Sequence, residues 1–176
     1  MATSVPSTGQ LFSLDVIDGR DVVPAAKKVL KQHHGRNGIS TWDSSSIFFE
    51  MHGLEVGEHP SPRTLVLLYA ADIFFRLRWQ ILPALEQGKC VVAVPYLETG
   101  FAFGALAGLP KRWLTEVFRF APKAAVSYRL NGSSAKLGPP TAGFIEFCSN
   151  TLNEDLRPKF ADYFDDLERR GRCRSL

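Results

Sequence analysis

Two aspartates sit where a chain of this pattern would handle phosphate. A short apolar run, residues 11–17 ("LFSLDVI"), meets Asp18-Gly19, and a helix-forming stretch follows from Val22. Strand, glycine turn and helix in that order frame a phosphate-binding loop. Its N–H groups cradle the oxyanion, a Lys neutralises it, and a Ser or Thr hydroxyl holds Mg2+. No Gly-Lys-Ser/Thr follows here. Asp15 and Asp18 have the chemistry to hold a cation, but without a phosphate cradle they read as residues that shape the turn.

Other reactive residue types are scattered. His52 and His59 lie in a loop among Glu50, Glu55 and Glu58. A metal could use that donor set, although a solvated polar loop accounts for it more simply. The adjacent His33 and His34 would point to different faces of a helix and read as an exposed helix end. Ser44-Ser45-Ser46 has no His/Asp arrangement to activate it and reads as a cap or turn.

With 176 residues and 45% of them hydrophobic, the chain can build one core. A net charge of +3 without a clustered basic stripe points away from nucleic acid. The basic run Glu168–Arg174 reads as a solvated helix end, where cations are favoured. Cys90, Cys148 and Cys173 are odd in number and far apart, so free thiols in a reducing compartment are expected. The start "MATSVPSTGQ" lacks the pattern of a signal peptide. No apolar run approaches the ~20 residues of a membrane helix. The expected location is cytoplasmic, away from membranes.

The elements that must position these residues alternate. Strands are expected at 11–17, 39–42, 89–97 and 124–131. Helices are expected at 22–34, at 61–88 with a kink or break at Pro83, at 110–122, and at 144–170 with a break near Pro158. Trp113, Leu114, Val117, Phe118 and Phe120 form the apolar face expected of the third helix. The strand at 89–97 is expected to run into a loop before the helix at 110, and Gly132–Gly143 reads as a flexible loop. The alternation predicts an α/β fold with a parallel sheet wrapped by helices.

Residues 61–122 resemble the thymidylate kinase family. "SPRTLVLLYAAD" is similar to its Leu-Leu-x-Ala-Ala-Asp-Arg helix, and "ILPALEQGKCVVAVPYLETG" is similar to its run from I-x-P-A-L-x-x-G through an Asp-Arg-Tyr strand end. The resemblance covers roughly residues 11 to 170, strongest in the middle. It implies a P-loop-kinase-like three-layer sandwich with a parallel sheet of about five strands. It also implies a chain short of one strand and helix at the C-terminus.

Carried over residue by residue, the family's Phe-Glu-Gly-x-Asp-Gly-x-Gly-Lys-Ser/Thr falls on Leu14–Val23. Asp15 stands for its acid and Asp18-Gly19 are kept. Val16 and Asp21 replace glycines, Val22 the Lys, and Val23 the hydroxyl. Asp-Arg-Tyr reads Val94-Pro95-Tyr96, and the helix Arg reads Ile73, with Arg76 three residues on as a partial substitute. The family's Arg-Glu-Pro-Gly loop resembles Thr41-Trp42-Asp43-Ser44 weakly, and of its lid cations only Lys136 remains. A residual acceptor-nucleotide pocket would comprise Tyr69, Asp72, Arg76, Tyr96 and Phe103.

The resemblance therefore implies a flexible stretch 1–10, one thymidylate-kinase-like domain at 11–170 and a basic tail at 171–176. The expected activity is that of a non-catalytic pseudokinase, a binding, dimer-partner or regulatory protein with a degenerate Walker A loop, no catalytic residues and no cofactor. It would pair through the 61–82 helix, as a homodimer or as a heterodimer with an active paralogue. The alternatives are a divergent thymidylate kinase using ATP and Mg2+ on dTMP, and a nucleotide sensor without turnover. Joint loss of the Lys, metal ligand and acceptor Arg favours the first, because phosphoryl transfer rests on positioning and charge stabilisation.

Overall fold

The computed structural model describes residues 9–16, 22–33, 36–41, 60–130, 148–149, 152 and 154–176. Five parallel strands form one sheet in the order β2-β3-β1-β4-β5. These are β1 (Leu11–Val16), β2 (Arg36–Thr41), β3 (Lys89–Val94), β4 (Val126–Leu130) and β5 (Arg174–Ser175). The central β1 pairs Leu11 with Val91 on one side and Phe12 with Val126 on the other. Buried on both faces, β1 and β3 are almost continuously apolar, as parallel central strands must be.

Alternate residues of β1 serve opposite layers. Phe12 and Leu14 pack with Ala25, Ala26, Val29 and Leu30 of α1 (Val22–Gln32). Leu11 faces the larger core beneath α2 (Pro62–Arg76), α4 (Leu97–Leu106), α5 (Lys111–Val117) and α6 (Arg157–Arg169). The five-strand expectation holds, and its fifth member is the chain's end. Arg174 and Ser175, assigned from sequence to the basic tail, pair with Tyr128 and Arg129. Arg129 ties this edge down by ion pairs to Asp165 and Glu168 of α6.

Several boundaries move for physical reasons. The helix begun at Pro62, capped by Ser61 accepting from the Thr64 N–H, does not kink at Pro83 itself. It widens beforehand into a π-helical turn, Leu77–Ile81, in which the Leu82 N–H donates to the Leu77 carbonyl, and resumes as α3 (Leu82–Glu86). Proline cannot continue the ordinary hydrogen-bond ladder, and the wider turn absorbs its ring. Strand β3 stops at Val94, before the cis Val94–Pro95 peptide.

Helix α4 occupies residues expected as a loop. Gly100 and Gly104 are there for close approach. A Cβ on Gly100 would meet the Phe118 ring at 2.6 Å, and one on Gly104 would collide with Leu114. Helix α5 ends at Val117, and Phe120, expected in its apolar face, is 42% exposed. The final helix begins at Arg157 with Pro158 in its first turn, where proline is tolerated. No described helix is long and apolar enough to cross a membrane.

Candidate functional site

In an open parallel sheet, ligands favour the crevice beyond the carboxyl ends of strands where the order reverses. Here that is the end of β1 beside the end of β3. Asp15, next to last in β1, is 2% exposed, and its Oδ1 accepts from Tyr96 N (3.0 Å), Thr99 N (3.1 Å) and Thr99 Oγ1 (2.8 Å). It thus caps α4, satisfying amides that a helix start leaves orphaned. Its Oδ2 is buried and has no hydrogen-bond partner among the described residues. Burial is the main cause of a carboxyl pushed up from 3.8 to about 6, aided by the nearby Glu98 and opposed by the three donors.

The residues expected to line an acceptor pocket are brought together, but they face one another. Tyr69, Asp72, Arg76 and Phe103 have no exposure, and Tyr96 has 1%. The Tyr69 hydroxyl donates to the Tyr96 carbonyl at 2.7 Å, and the Tyr96 hydroxyl donates to Pro122 O at 2.7 Å. Desolvation raises the pKa of both phenols. Arg76 Nε donates to Asp72 Oδ2 at 2.9 Å and Nη1 to Val94 O at 3.3 Å, while Nη2 is buried with no partner among the described residues. Lying four residues apart on α2, the two side chains meet across one turn. The structure puts the Arg76 guanidinium inside the core.

On the donor side, Val22 and Val23 open α1. Val22 packs against the Phe12–Leu14 cluster, and Val23 is 46% exposed. Val16 is the last residue of β1, paired with Leu130. Asp18, Gly19 and Asp21 lie outside the described residues. So do His34, Trp42, Asp43, the Ser44–Ser46 run, His52, His59, their glutamates and Lys136. Among the described residues no group of three or more His, Cys, Asp or Glu is placed to hold a metal. His33 stacks on Phe12 at 3.9 Å and shares a hydrogen bond with the Tyr128 hydroxyl at 3.2 Å. All three cysteines are free and buried.

Sequence reasoning missed the partners of Asp15. Thr99 and Glu98 were assigned to a loop, yet they begin α4. Glu98, itself pushed up by burial, contacts Tyr163 (3.3 Å) and Arg172 (3.4 Å). The available signal was the Gly100/Gly104 spacing between apolar residues, which is one helical face.

No family model matches the chain. It is 36% identical over 75 residues to a probable thymidylate kinase of Pyrococcus abyssi, covering 43% of this chain and 37% of that protein. Over 128 residues it is 26% identical to a probable thymidylate kinase of Staphylothermus marinus, covering 71% and 64%. The matched stretches thus span about a third to two thirds of these relatives' lengths. In three dimensions the likeness extends over nearly the whole chain. It superposes on the thymidylate kinase of Ehrlichia chaffeensis with a TM-score of 0.66 at 13% identity, covering 96% of this chain and 90% of that one. For the thymidylate kinase of Candida albicans the score is 0.63 at 15% identity, covering 96% and 83%. In shared sequence stretches and in fold, this chain is similar to thymidylate kinases.

Proposed function

We propose that this chain is a non-catalytic member of the family that acts by binding another protein. The observation that supports this reading is that the expected acceptor residues are closed in: Tyr69, Asp72, Arg76 and Tyr96 are buried and hydrogen-bonded within the core, and Phe103 is buried beside them. A guanidinium without solvent exposure, held by Asp72 and a backbone carbonyl, offers no open face to a monophosphate. On the donor side, Val22 and Val23 have neither an ammonium to neutralise phosphates nor a hydroxyl to ligate Mg2+. These residues do not fit ATP with Mg2+. The reading needs no cofactor.

Contact falls to the outer face of α2 and the turn after it, where Leu67, Phe74, Phe75, Trp79 and Leu82 are exposed. A second copy and an intact paralogue are the two partners the family resemblance suggests. The test is titration calorimetry with ATP–Mg2+ and with dTMP, alongside ADP release. No heat and no turnover are expected. Saturable dTMP-dependent ADP release would establish the divergent kinase instead, and dTMP binding without turnover the sensor.

A further inference from the structure

The basic run that follows α6 leads to an exposed serine. Arg170, Arg172 and Arg174 stand five, three and one residues ahead of Ser175. A turn at Gly171, with φ at 66°, carries the chain from α6 into β5, where Arg174 and Ser175 are exposed. These arginines do not form an open anion site. Arg169 and Arg170 pair with Asp166, and Arg172 pairs with Glu98. Pairs at the surface are worth little, so a competing acidic surface can draw the arginines away. Ser175 is also a joint. Its hydroxyl donates to Glu168 Oε1 at 2.7 Å and accepts from Arg129 Nε at 3.2 Å. That hydroxyl is the main cause of a Glu168 carboxyl held below its ordinary range. Arg129 in turn binds Asp165 and Glu168, so β4, β5 and the end of α6 are clasped at one point. Strand β5 has two residues, paired with Tyr128 and Arg129, and so short an edge opens readily.

We infer that Ser175 is a phosphoacceptor site for an arginine-directed protein kinase, and that its phosphorylation unclasps β5 from α6. This goes beyond the binding-protein reading and does not depend on it. Arginines ahead of the acceptor suit a kinase whose substrate groove is lined with carboxylates, because such enzymes select by charge pattern. In the step, Ser175 Oγ attacks the γ-phosphorus of kinase-bound ATP. The bond from that phosphorus to the bridging oxygen breaks, ADP leaves, and the hydroxyl proton passes to the kinase's carboxylate base. The modified oxygen has no proton to give Glu168. About two negative charges then face the carboxylates of Glu168 and Asp165 and repel them. Arg129 is drawn to the phosphate and away from α6. A second basic context is less suitable. Lys111 and Arg112 stand four and three residues ahead of Thr115, but that residue lies within α5 and its hydroxyl donates to the Lys111 carbonyl at 3.0 Å. The helix would have to unwind to enter a kinase cleft, whereas Ser175 is already extended at an edge.

The test treats the full chain with ATP and a purified arginine-directed serine kinase, and in parallel with a kinase directed by acidic residues. Phosphopeptide mass spectrometry should find Ser175 modified by the first and not by the second. Arg172→Ala should slow that labelling about tenfold. In the phosphorylated chain the Leu176 amide, which donates to the Arg129 carbonyl at 3.0 Å, should exchange its hydrogen about tenfold faster. Asp165→Asn with Glu168→Gln should remove most of that increase, because an uncharged end of α6 is not repelled. Absence of label at Ser175 overturns the inference, and so does equal labelling by the two kinases. Preferential labelling of Thr115 overturns it in favour of the helical site. Unchanged exchange after complete labelling of Ser175 overturns the unclasping. None of these readouts depends on turnover by this chain, so an active thymidylate kinase would defeat the non-catalytic reading without touching this one.

Discussion

Replacing Asp15 with asparagine should change how stability depends on pH more than it changes the fold. Asparagine keeps an oxygen to accept from Tyr96 N, Thr99 N and Thr99 Oγ1, and its amide takes the place of the unpartnered Oδ2. What it removes is a buried ionisation. Burial lifts the Asp15 carboxyl from 3.8 to about 6 in the folded chain. The folded state therefore holds this proton more tightly than the unfolded state. The resulting stability is present in full below pH 3.8 and lost as pH rises through about 6. The displacement corresponds to ~3 kcal/mol, which Asp15→Asn does not lose. Urea unfolding of both proteins at about pH 4 and about pH 7.5 should show the variant gaining ~2.4 kcal/mol on the parent between the two, the rest lying below about pH 4. In melting temperature that is roughly 5–10 °C for a chain of this size. A parent-minus-variant difference that stays constant across the range would refute the reasoning, because it would mean that the carboxyl titrates normally.

Three further outcomes follow from the packing. Arg76→Met should destabilise by roughly 3–5 kcal/mol by stranding the buried Asp72, and adding Asp72→Leu should recover most of the loss in urea unfolding. Gly104→Ala should cost about 1–3 kcal/mol, read by thermal melting, since its methyl would enter the space of Leu114. Trp79→Ser, at a side chain 65% exposed, should move stability by no more than about 0.5 kcal/mol while weakening the proposed contact.

Residue order alone determined the alternation of strands and helices, and so the layered fold. It also determined the valines at 22 and 23, because an amino acid that lacks a hydroxyl or an ammonium lacks it in any conformation. The middle of the chain held enough of a pattern to suggest the resemblance, and the relatives it is similar to are thymidylate kinases. Which way α2 faces was decided only in three dimensions. Its residues from Leu65 to Ala71 are apolar nearly all round, so periodicity does not define a single buried stripe, and packing on the sheet chooses one. That choice sends Ile73 and Arg76 inward and Phe74, Phe75 and Trp79 outward. It turns a cation expected to await a phosphate into half of a buried pair. Helix α4 was likewise settled by tertiary contact. Its glycines weaken helical propensity, and the close approach of Phe118 and Leu114 that requires them involves residues some ten to eighteen positions away.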